Sequence, residues 1–497
     1  MQLCGCAGPA STSDWGNGAP ADAYVQSNRL TWGASVSAVE RLLAIGQKAY
    51  VAEQLHPGAT RLPTAVQMQI DAMTISQQPL VALVQTMEQK RKESDAVVDD
   101  AAKKVAQQAF QQEMNRLAKE SATRHVLRAL YSNNQVQEQM TWFWLNHFNV
   151  HQYKSNLRAM VGDYEETAIR PHALGKFRTL LGAVVEHPAM LRYLDNEQNA
   201  AGRVNENFAR ELMELHTLGV DAGYSQQDVQ ELAKVLTGFG VNLGSTTLPQ
   251  KKELQDFYLR KGLFEFNPAR HAFGNKELLG QPIRTSGYAE LGEALDRLAR
   301  HPATARLISK KLATYWLADE PPAAVVQRMV QAFERSDGDI AATLQALFTS
   351  AEFNQPSVHK FKDPTRFVVS AVRLAYDEKP ILNVNPMLNW INRMGQPLYG
   401  RATPDGYSLQ SAAWASPGQL ATRFEIANAI GSGSAGLFKS DGPDVRELPA
   451  FPQFANALYY QSIAKGLGPS TRQALDQAAS PQEWNTFLLS SPEIVQR

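Results

Sequence analysis

Apolar residues recur at every third or fourth position through most of the chain, and this spacing constrains the fold more than any other feature. It places apolar side chains on one stripe of an α-helix, whereas a half-buried strand would alternate apolar and polar residues. Strand-like alternation is scarce, and short turn signals such as Pro57-Gly58 and Asp337-Gly338 separate the periodic segments. The sequence therefore predicts an all-α fold, a single large multi-helix domain with long ordered loops and little or no β-structure.

Several individual helices follow from the same period. One is predicted over residues 36–55 and a long polar helical segment over residues 78–130. Four amphipathic helices are predicted in the C-terminal half, at residues 288–298, 304–316, 323–334 and 340–348. Periodicity fades and Gly and Pro become more frequent over residues 245–286 and 395–418, which predicts two long loops of the kind that often carry function.

The polar segment 78–130 carries charge clusters such as Lys90-Arg91-Lys92-Glu93, and its few apolar residues form one narrow helical stripe. Two interpretations fit this pattern. The segment is either an arm that projects to contact a partner or a solvated helical hairpin that packs on one side only.

The charge of the chain is balanced, with 49 Lys plus Arg and 49 Asp plus Glu among 497 residues. A nucleic-acid-binding protein needs a positive excess to release counterions from phosphates, so no nucleic-acid partner is expected for the chain as a whole. No run of about 18 uncharged apolar residues is present, which argues against a membrane-spanning helix. The GxxxxGK[ST], GxSxG and HExxH patterns are also missing, so the common nucleotide, serine-hydrolase and zinc-protease sites lack their residues.

The N-terminus contains both cysteines of the chain, Cys4 and Cys6, so disulfides and thiolate sites are not expected in the remainder. Its sequence is similar to the end of a bacterial lipoprotein signal in which Cys6 would receive the lipid, although no apolar region precedes it. Either the start codon is placed late or the similarity is accidental. We expect residues 1–23 to be a signal remnant and flexible tether, with membrane contact only through Cys6, and residues 24–497 to form one helical domain.

Residues 142–151 form the first stretch that could carry chemistry. They are apolar on all sides of a helical wheel, which predicts a central, buried helix. His147 and His151 are four positions apart and would leave the same face of that helix, at the spacing of two metal ligands. The alternative is a pair of core histidines, each hydrogen bonded to a carbonyl or a side chain.

Residues 205–216 form the second stretch, with apolar residues on one side of the predicted helix. The other side is polar and carries Glu206, Asn207, Arg210, Glu211 and Glu214. An exposed helix with two i,i+4 ion pairs would show the same pattern. If this face were turned inward, its carboxylates would need a cation, either Arg210 or a divalent metal.

A third candidate lies in the long loop over residues 245–286, which carries His271 and Lys276. These two side chains could reach over a cleft. A histidine in a loop is also commonly a plain surface residue.

Residues 205–238 are similar to the most characteristic block of the domain of unknown function 1800 family, a group of exported bacterial proteins. Shorter similar blocks follow in the family's order at residues 28–33, 144–148, 301–306, 362–364 and 395–396, so the resemblance covers nearly the whole chain. It implies a location in the periplasm, at the outer membrane as a lipoprotein, or outside the cell, and neighbours that look like exported sulfatases or phosphatases. Relatives carry His at the position of Leu145 and Asp at the position of Ala272, so this chain lacks two candidate ligands or acid–base groups.

The resemblance also favours an inward-facing polar network at residues 206–214, because this face belongs to the family's hallmark block. Two hypotheses about function follow. In the first, the protein is a hydrolase or transferase acting on an envelope or extracellular polymer, with an unknown cofactor that could be a divalent metal. The assigned roles are catalytic for Glu211, Glu214 and His271, substrate-binding for Arg210, Asn207 and Lys276, and metal-binding for His147, Glu211 and Glu214. In the second, the protein is a non-catalytic envelope scaffold or accessory protein in which the Glu/Arg/Asn cluster is a buried structural network.

Overall fold

The computed structural model describes residues 20–244, 251–355, 359–440 and 447–497. Helices account for 63% of the chain and strands for 5%, which confirms the predicted all-α class. Within the described residues, no helix has both the length and the apolar character needed to cross a membrane. Cys6 and most of the predicted tether lie outside the described residues, whereas residues 20–23 belong to the first helix and are not part of a tether.

In the N-terminal third, every regular element of the described residues is a helix. Gly46, with φ 76°, separates the segment predicted as one helix over residues 36–55 into two. The helices are α1 Pro20–Leu30, α2 Val36–Ile45, α3 Gln47–Leu55, α4 Thr64–Asp71, α5 Thr74–Gln77, α6 Leu80–Ala96, α7 Asp100–Tyr131 and α8 Gln135–His147. Helices α6 and α7 pack against each other, so the charged segment over residues 78–130 is a helical hairpin. It is not packed on one side only, because residues 121–130 of α7 are buried on several sides.

The middle of the chain combines helices with two small sheets. Its helices are α9 Val161–Asp163, the π-helix Tyr164–Ile169, α10 Phe177–Glu186, α11 Pro188–Tyr193, α12 Asn207–Glu211, the π-helix Leu212–Thr217 and α13 Gln226–Val235. Short 3-10 helices lie at Leu157–Ala159, Arg170–His172, Asn196–Gln198, Lys252–Phe257 and Pro268–Arg270. Helix α13 begins with a capping box, in which Ser225 and Asp228 satisfy each other's backbone N–H groups.

The segment over residues 245–286 was predicted as a loop, and its described part, residues 251–286, contributes four short strands. Strands β1 Phe239–Val241, β2 Leu259–Lys261 and β3 Phe264–Phe266 form an antiparallel sheet in the order β1-β3-β2, and β4 Glu277–Leu278 pairs with β5 Gln281–Pro282. In the larger sheet Phe239 lies opposite Phe266, and both rings are buried. Strands of two or three residues are too short to show an alternating pattern in the sequence.

The C-terminal half returns to helices that pack in order, α15 on α16 and α16 on α17. They are α14 Ala289–Arg300, α15 Pro302–Trp316, α16 Ala323–Arg335, α17 Ile340–Phe348, α18 Ala351–Asn354, α19 Pro364–Tyr376, α20 Asn385–Arg393, α21 Pro417–Gly431, α22 Ala464–Gly466, α23 Pro469–Asp476 and α24 Pro481–Ser490, with a 3-10 helix Ser411–Trp414 and a π-helix Tyr459–Ile463. The four helices predicted here are present, and each boundary lies within two residues of its prediction. Residues 395–416 are irregular apart from the 3-10 turn, as predicted, and residues 417–418 of the predicted loop already belong to α21.

Helix α8 runs through the core, as its apolar wheel predicted, and every residue from Glu138 to His147 is buried. It packs against α3, α7 and the π-helix Tyr164–Ile169. The helix ends at His147, so His151 lies in the following turn and does not share a helical face with it. The predicted two-histidine face therefore does not form.

A buried charge cluster joins α7, α8 and the π-helix Tyr164–Ile169. Arg170 forms ion pairs with Glu138 and Glu165, and Glu165 also contacts His125 Nδ1 at 3.1 Å and accepts the hydroxyl of Tyr399. Burial alone would raise the pKa of Glu165, but His125 and Arg170 hold it well below its usual range. The cluster thus fixes the position of α8, the helix that carries His147.

Candidate functional site

A cavity of about 480 Å³ opens between α8, α15 and the loop after α20. Ligand pockets in proteins are typically about 300–1,000 Å³, so this one has the right size for a small molecule or one segment of a polymer. Its polar lining comes from His147, Lys311, Arg401, Asp405, Tyr407 and Ser408, and its aromatic lining includes Phe143 and Trp414.

His147 and Lys311 lie in contact at this cavity. Nζ of Lys311 is 3.2 Å from Nδ1 of His147, and Nε2 of His147 is 3.1 Å from the carbonyl oxygen of His216. A carbonyl only accepts hydrogen bonds, so Nε2 must carry the imidazole proton and Nδ1 must accept a hydrogen from Lys311. Burial, then the charge of Lys311, lowers the pKa of His147 well below its usual value, so the ring is neutral at pH 7.

The nitrogen of Lys311 contacts two hydrogen-bond acceptors, which leaves one further tetrahedral position on that nitrogen. Besides His147 Nδ1, it lies 3.3 Å from the carbonyl oxygen of Leu215. Both partners need an N–H, so a neutral amine uses its two hydrogens on them and keeps its lone pair for the remaining tetrahedral position. Because the side chain lines the cavity, we infer that this position faces the cavity. Burial lowers the pKa of Lys311 to about 8, so both protonation states are populated near neutral pH.

The two carbonyls that hold this pair belong to the π-helix Leu212–Thr217, which continues α12. The last turn of a helix leaves its carbonyl groups without partners inside the helix. Here Leu215 and His216 offer theirs to Lys311 and His147. The segment singled out for its acidic side chains therefore contributes backbone oxygens to the cavity, and π-helical turns occur often at functional sites.

The mouth of the cavity is formed by the turn over residues 401–407. Asp405 accepts two hydrogen bonds from Nη2 of Arg401, at 2.8 and 3.0 Å, and one from Thr403. Burial alone would raise the pKa of Asp405, but Arg401 and Thr403 lower it. The turn is attached to α8 through Asn146, whose side chain donates to the carbonyl of Tyr407 at 2.9 Å and accepts from its backbone N–H.

Gly406 allows this turn to lie directly on α8. Its φ is +75°, and a Cβ added there would lie 2.1 Å from the carbonyl oxygen of Asn146. We expect Gly406→Ala to lower the free energy of unfolding by roughly 2–4 kcal/mol, through backbone strain plus the collision with a main-chain atom. Thermal or urea unfolding measures the loss. Gly395→Ala is the matched control, since Gly395 has φ +83° but open space around its Cβ, and equal losses in the two variants would contradict the close contact.

The predicted polar face on α12 is partly exposed, not buried. Arg210 forms ion pairs with Glu206 at 3.0 Å and with Glu214 at 3.5 Å. The side chains of Arg210, Glu206 and Glu214 are 37%, 32% and 28% exposed. Asn207 donates to the carbonyl of Leu194, which attaches the start of the helix to the end of α11. The network that was expected to face inward therefore consists of two ion pairs at the surface. Such i,i+4 pairs contribute only a few tenths of a kcal/mol each to stability.

Glu211 is the member of the predicted catalytic set that the structure brings near the cavity mouth. Burial raises its pKa, and the negative charges of Glu214 and Asp405 raise it further. Asp405 has a lowered pKa and also acts on Lys311. Two carboxyl groups with pKa values shifted in opposite directions are typical of acid–base sites.

The predicted metal set of His147, Glu211 and Glu214 is not assembled. Over the ranges that the structure describes, no group of three or more His, Cys, Asp or Glu side chains is arranged to hold a metal ion. His147 uses both ring nitrogens, one on the carbonyl of His216 and one on Lys311.

His271 and Lys276, predicted as catalytic and substrate-binding residues, meet in a separate buried cluster. Nε2 of His271 lies 3.3 Å from Glu290 and Nζ of Lys276 lies 2.8 Å from it, while Nδ1 of His271 donates to the carbonyl of Thr237 at 2.8 Å. The side chains of His271, Lys276 and Glu290 are almost fully buried. No contact joins them to the cavity lining among the described residues, so they connect the loop to α14 and α13 and do not cover a cleft.

Lys311, Arg401 and Asp405 were not among the residues predicted from the sequence. Arg401 and Asp405 lie in the loop over residues 395–418, so its predicted functional character was the signal that pointed to them. Lys311 follows Lys310 on an amphipathic helix, and nothing in the local pattern distinguishes it from a surface lysine.

A family model described as protein of unknown function, DUF1800, matches residues 26–496. No curated protein and no solved structure is significantly similar to the chain.

Proposed function

Since the chain belongs to the DUF1800 family of proteins of unknown function, its role has to be inferred from the site, and we propose that it is an enzyme with Lys311 as the acid–base group. The reaction is hydrolysis or group transfer on a polymer. The observation that carries the proposal is the contact of Lys311 with a neutral His147 at the wall of a cavity large enough for a ligand.

The lysine suits this task for two reasons. Its pKa of about 8 lies close to neutral pH, where a general acid–base group is most effective. Its two fixed hydrogen bonds, to His147 and to the carbonyl of Leu215, direct the remaining proton or lone pair to one place. Strongly shifted pKa values that combine burial with defined partners in a cleft are concentrated at active sites.

The proton transfers of the proposed reaction need no group other than Lys311. The neutral amine of Lys311 takes a proton from the attacking water or hydroxyl as that oxygen bonds to the electrophilic centre of the substrate. The ammonium then gives this proton to the leaving group as its bond breaks. His147 holds the amine in place, and because the lone pair of its Nδ1 already accepts a hydrogen from Lys311, it does not compete for the substrate proton.

The lining favours a polar substrate with an apolar face, such as a sugar unit of a polysaccharide. Tyr407 and Trp414 supply aromatic rings, and the Arg401–Asp405 pair supplies fixed donors and acceptors at the mouth. Because we expect the protein to be exported, we propose that this polymer belongs to the cell envelope or lies outside the cell. A sulfatase- or phosphatase-like neighbour would fit a pathway that removes charged groups from the same polymer.

The proposal is tested by incubating the purified protein with envelope and extracellular polysaccharides and peptidoglycan, and by following new chain ends with mass spectrometry. We expect product from at least one of these polymers. Lys310→Met is the matched control for Lys311→Met, because Lys310 is the exposed neighbour on the same helix. Product from wild type and Lys310→Met but not from Lys311→Met supports the proposal, and equal activity of all three proteins contradicts it.

A further inference from the structure

Lys311 has the surroundings of a nucleophile as well as those of an acid–base group. Its side chain is half-buried on α15 and lines the cavity, so a ligand in the cavity can reach the amine. No carboxylate of the described residues lies within 4.0 Å of that amine, and the more distant Asp405 raises its pKa by less than burial lowers it. A lysine without an ion-pair partner in such a site keeps a reactive share of neutral amine at pH 7.

The two hydrogen bonds of this amine decide where it can react. Nζ of Lys311 lies 3.2 Å from Nδ1 of His147 and 3.3 Å from the carbonyl oxygen of Leu215, and each of these acceptors takes one hydrogen of a neutral amine. Both N–H bonds therefore point into the protein wall, and the lone pair takes the position on the cavity side. Attack on a carbonyl carbon requires this arrangement, because the new bond forms along the lone pair.

The rest of the lining indicates which carbonyl compounds fit the cavity. Its charged and hydroxyl groups belong to Arg401, Asp405 and Ser408, and its aromatic rings include Tyr407 and Trp414. Arg401 binds Asp405 through Nε and Nη2, so Nη1 of the same guanidinium is not used in that pair. An alkyl aldehyde would displace water from these polar groups without replacing its hydrogen bonds. An aldehyde that carries hydroxyl groups replaces them and therefore fits the lining better.

We propose that Lys311 forms an imine with hydroxylated aldehydes, the chemical class of open-chain sugars and of the reducing ends of glycans. The inference uses the same cavity as the proposed function, but it does not require that the protein cleave a polymer. In the reaction the lone pair of Nζ bonds to the carbonyl carbon, and the π electrons of the carbonyl move to its oxygen. This oxygen takes one hydrogen from the nitrogen, which gives a carbinolamine, and takes the second as the C–O bond breaks and water leaves. Amine and aldehyde thus become imine and water without an oxidant or a reductant.

The same surroundings accommodate the protonated imine. This form keeps one N–H, and because Nδ1 of His147 and the carbonyl of Leu215 are both acceptors, the N–H stays hydrogen bonded to one of them. The negative charge of Asp405 acts on this nitrogen and favours the positively charged imine over the neutral one.

The imine is trapped by incubating the full chain at pH 7 with glycolaldehyde and sodium cyanoborohydride, whose hydride converts the imine into a stable secondary amine. Peptide fragmentation in a mass spectrometer then measures the added hydroxyethyl group on each lysine. We expect Lys311 to be modified at least roughly 10-fold faster than Lys310, its exposed neighbour on α15, because each unit of lowered pKa leaves about tenfold more neutral amine. Equal rates at the two lysines, or modification of Lys310 alone, would overturn the proposal.

Propionaldehyde, which has a methyl group in place of the hydroxyl of glycolaldehyde, separates a recognised ligand from a merely reactive amine. The preference for glycolaldehyde should be larger at Lys311 than at Lys310, and equal preferences at the two lysines would contradict the hydroxylated class. The proposed polymer cleavage is a separate readout on the same preparation. Modification of Lys311 without polymer cleavage would support the imine and count against the proposed function, whereas cleavage without modification of Lys311 would overturn the imine alone.

Discussion

Arg170→Met should cost the protein roughly 3–5 kcal/mol of unfolding free energy at pH 7, the largest stability effect that the structure predicts. The substitution removes the cation between Glu138 and Glu165, whose side chains are 2% and 1% exposed. It leaves two buried carboxylates that repel each other and have no cation between them. Urea unfolding followed by circular dichroism measures the loss. Arg178→Met is the control, because the Arg178–Asp296 pair is partly exposed and such pairs contribute about 1 kcal/mol or less.

The pH dependence of this loss has a defined sign. The folded-state pKa of Glu165 is lowered, so its contribution is present above the unfolded-state pKa and is lost as the pH falls through the folded-state pKa. In Arg170→Met the carboxylates can accept protons in the folded protein, and the difference from wild type should therefore shrink towards pH 4. A loss no larger than that of Arg178→Met, at every pH, would show that the cluster does not hold α8 in place.

Lys311→Met should reduce turnover of the polymer substrate by about 10²–10⁴-fold, the usual contribution of a general acid–base group. It should not destabilise the fold, because the lowered pKa of Lys311 shows that the folded state disfavours the charged form. Steady-state kinetics and thermal unfolding of the same preparation test the two parts together. A variant that loses activity and unfolds at a much lower temperature would point instead to a structural lysine.

Lys311→Met also shows how the protonation of this lysine contributes to the pH dependence of stability. The pKa of Lys311 falls from 10.5 to about 8 on folding, so the unfolded chain binds more protons between these two values. Its contribution to unfolding free energy should therefore rise with pH from about 8 to 10.5. The difference between wild type and Lys311→Met should show this rise, and a flat difference would contradict the buried position of the amine.

The helices could be predicted from the sequence wherever an apolar stripe was bounded by a capping residue or proline. Helix α15 begins at Pro302 after His301, whose side chain caps it, and its predicted extent is nearly correct. The single helix predicted over residues 36–55 failed because Gly46 adopts a conformation that a helix does not tolerate, and a stripe on either side of one glycine does not reveal this. Strands β1 to β5 have only two or three residues each, which is too few to show the alternation of apolar and polar residues by which a strand is predicted.

The site was harder to predict because tertiary contacts decide it. Helix α8 and its His147 were found, since residues apolar on all sides must be central. The acidic residues of α12 were singled out, but the direction in which they point depends on how α12 packs on α13, and that packing leaves Arg210 at the surface. Lys311 lies 164 positions from His147, and the carbonyl of Leu215 that accepts from its amine belongs to a π-helix that no local pattern indicated.

The most direct test of the proposed active site is the pKa of Lys311 itself. Limiting amounts of a small acetylating reagent, applied from pH 6 to 11 with a lysine peptide as internal standard, give its titration curve by peptide mass spectrometry. We predict a midpoint near pH 8 in the native protein, because a buried amine held by His147 and the carbonyl of Leu215 disfavours its charged form. A midpoint that coincides with that of the standard peptide would mean that Lys311 is an ordinary surface lysine and would contradict the proposed acid–base site.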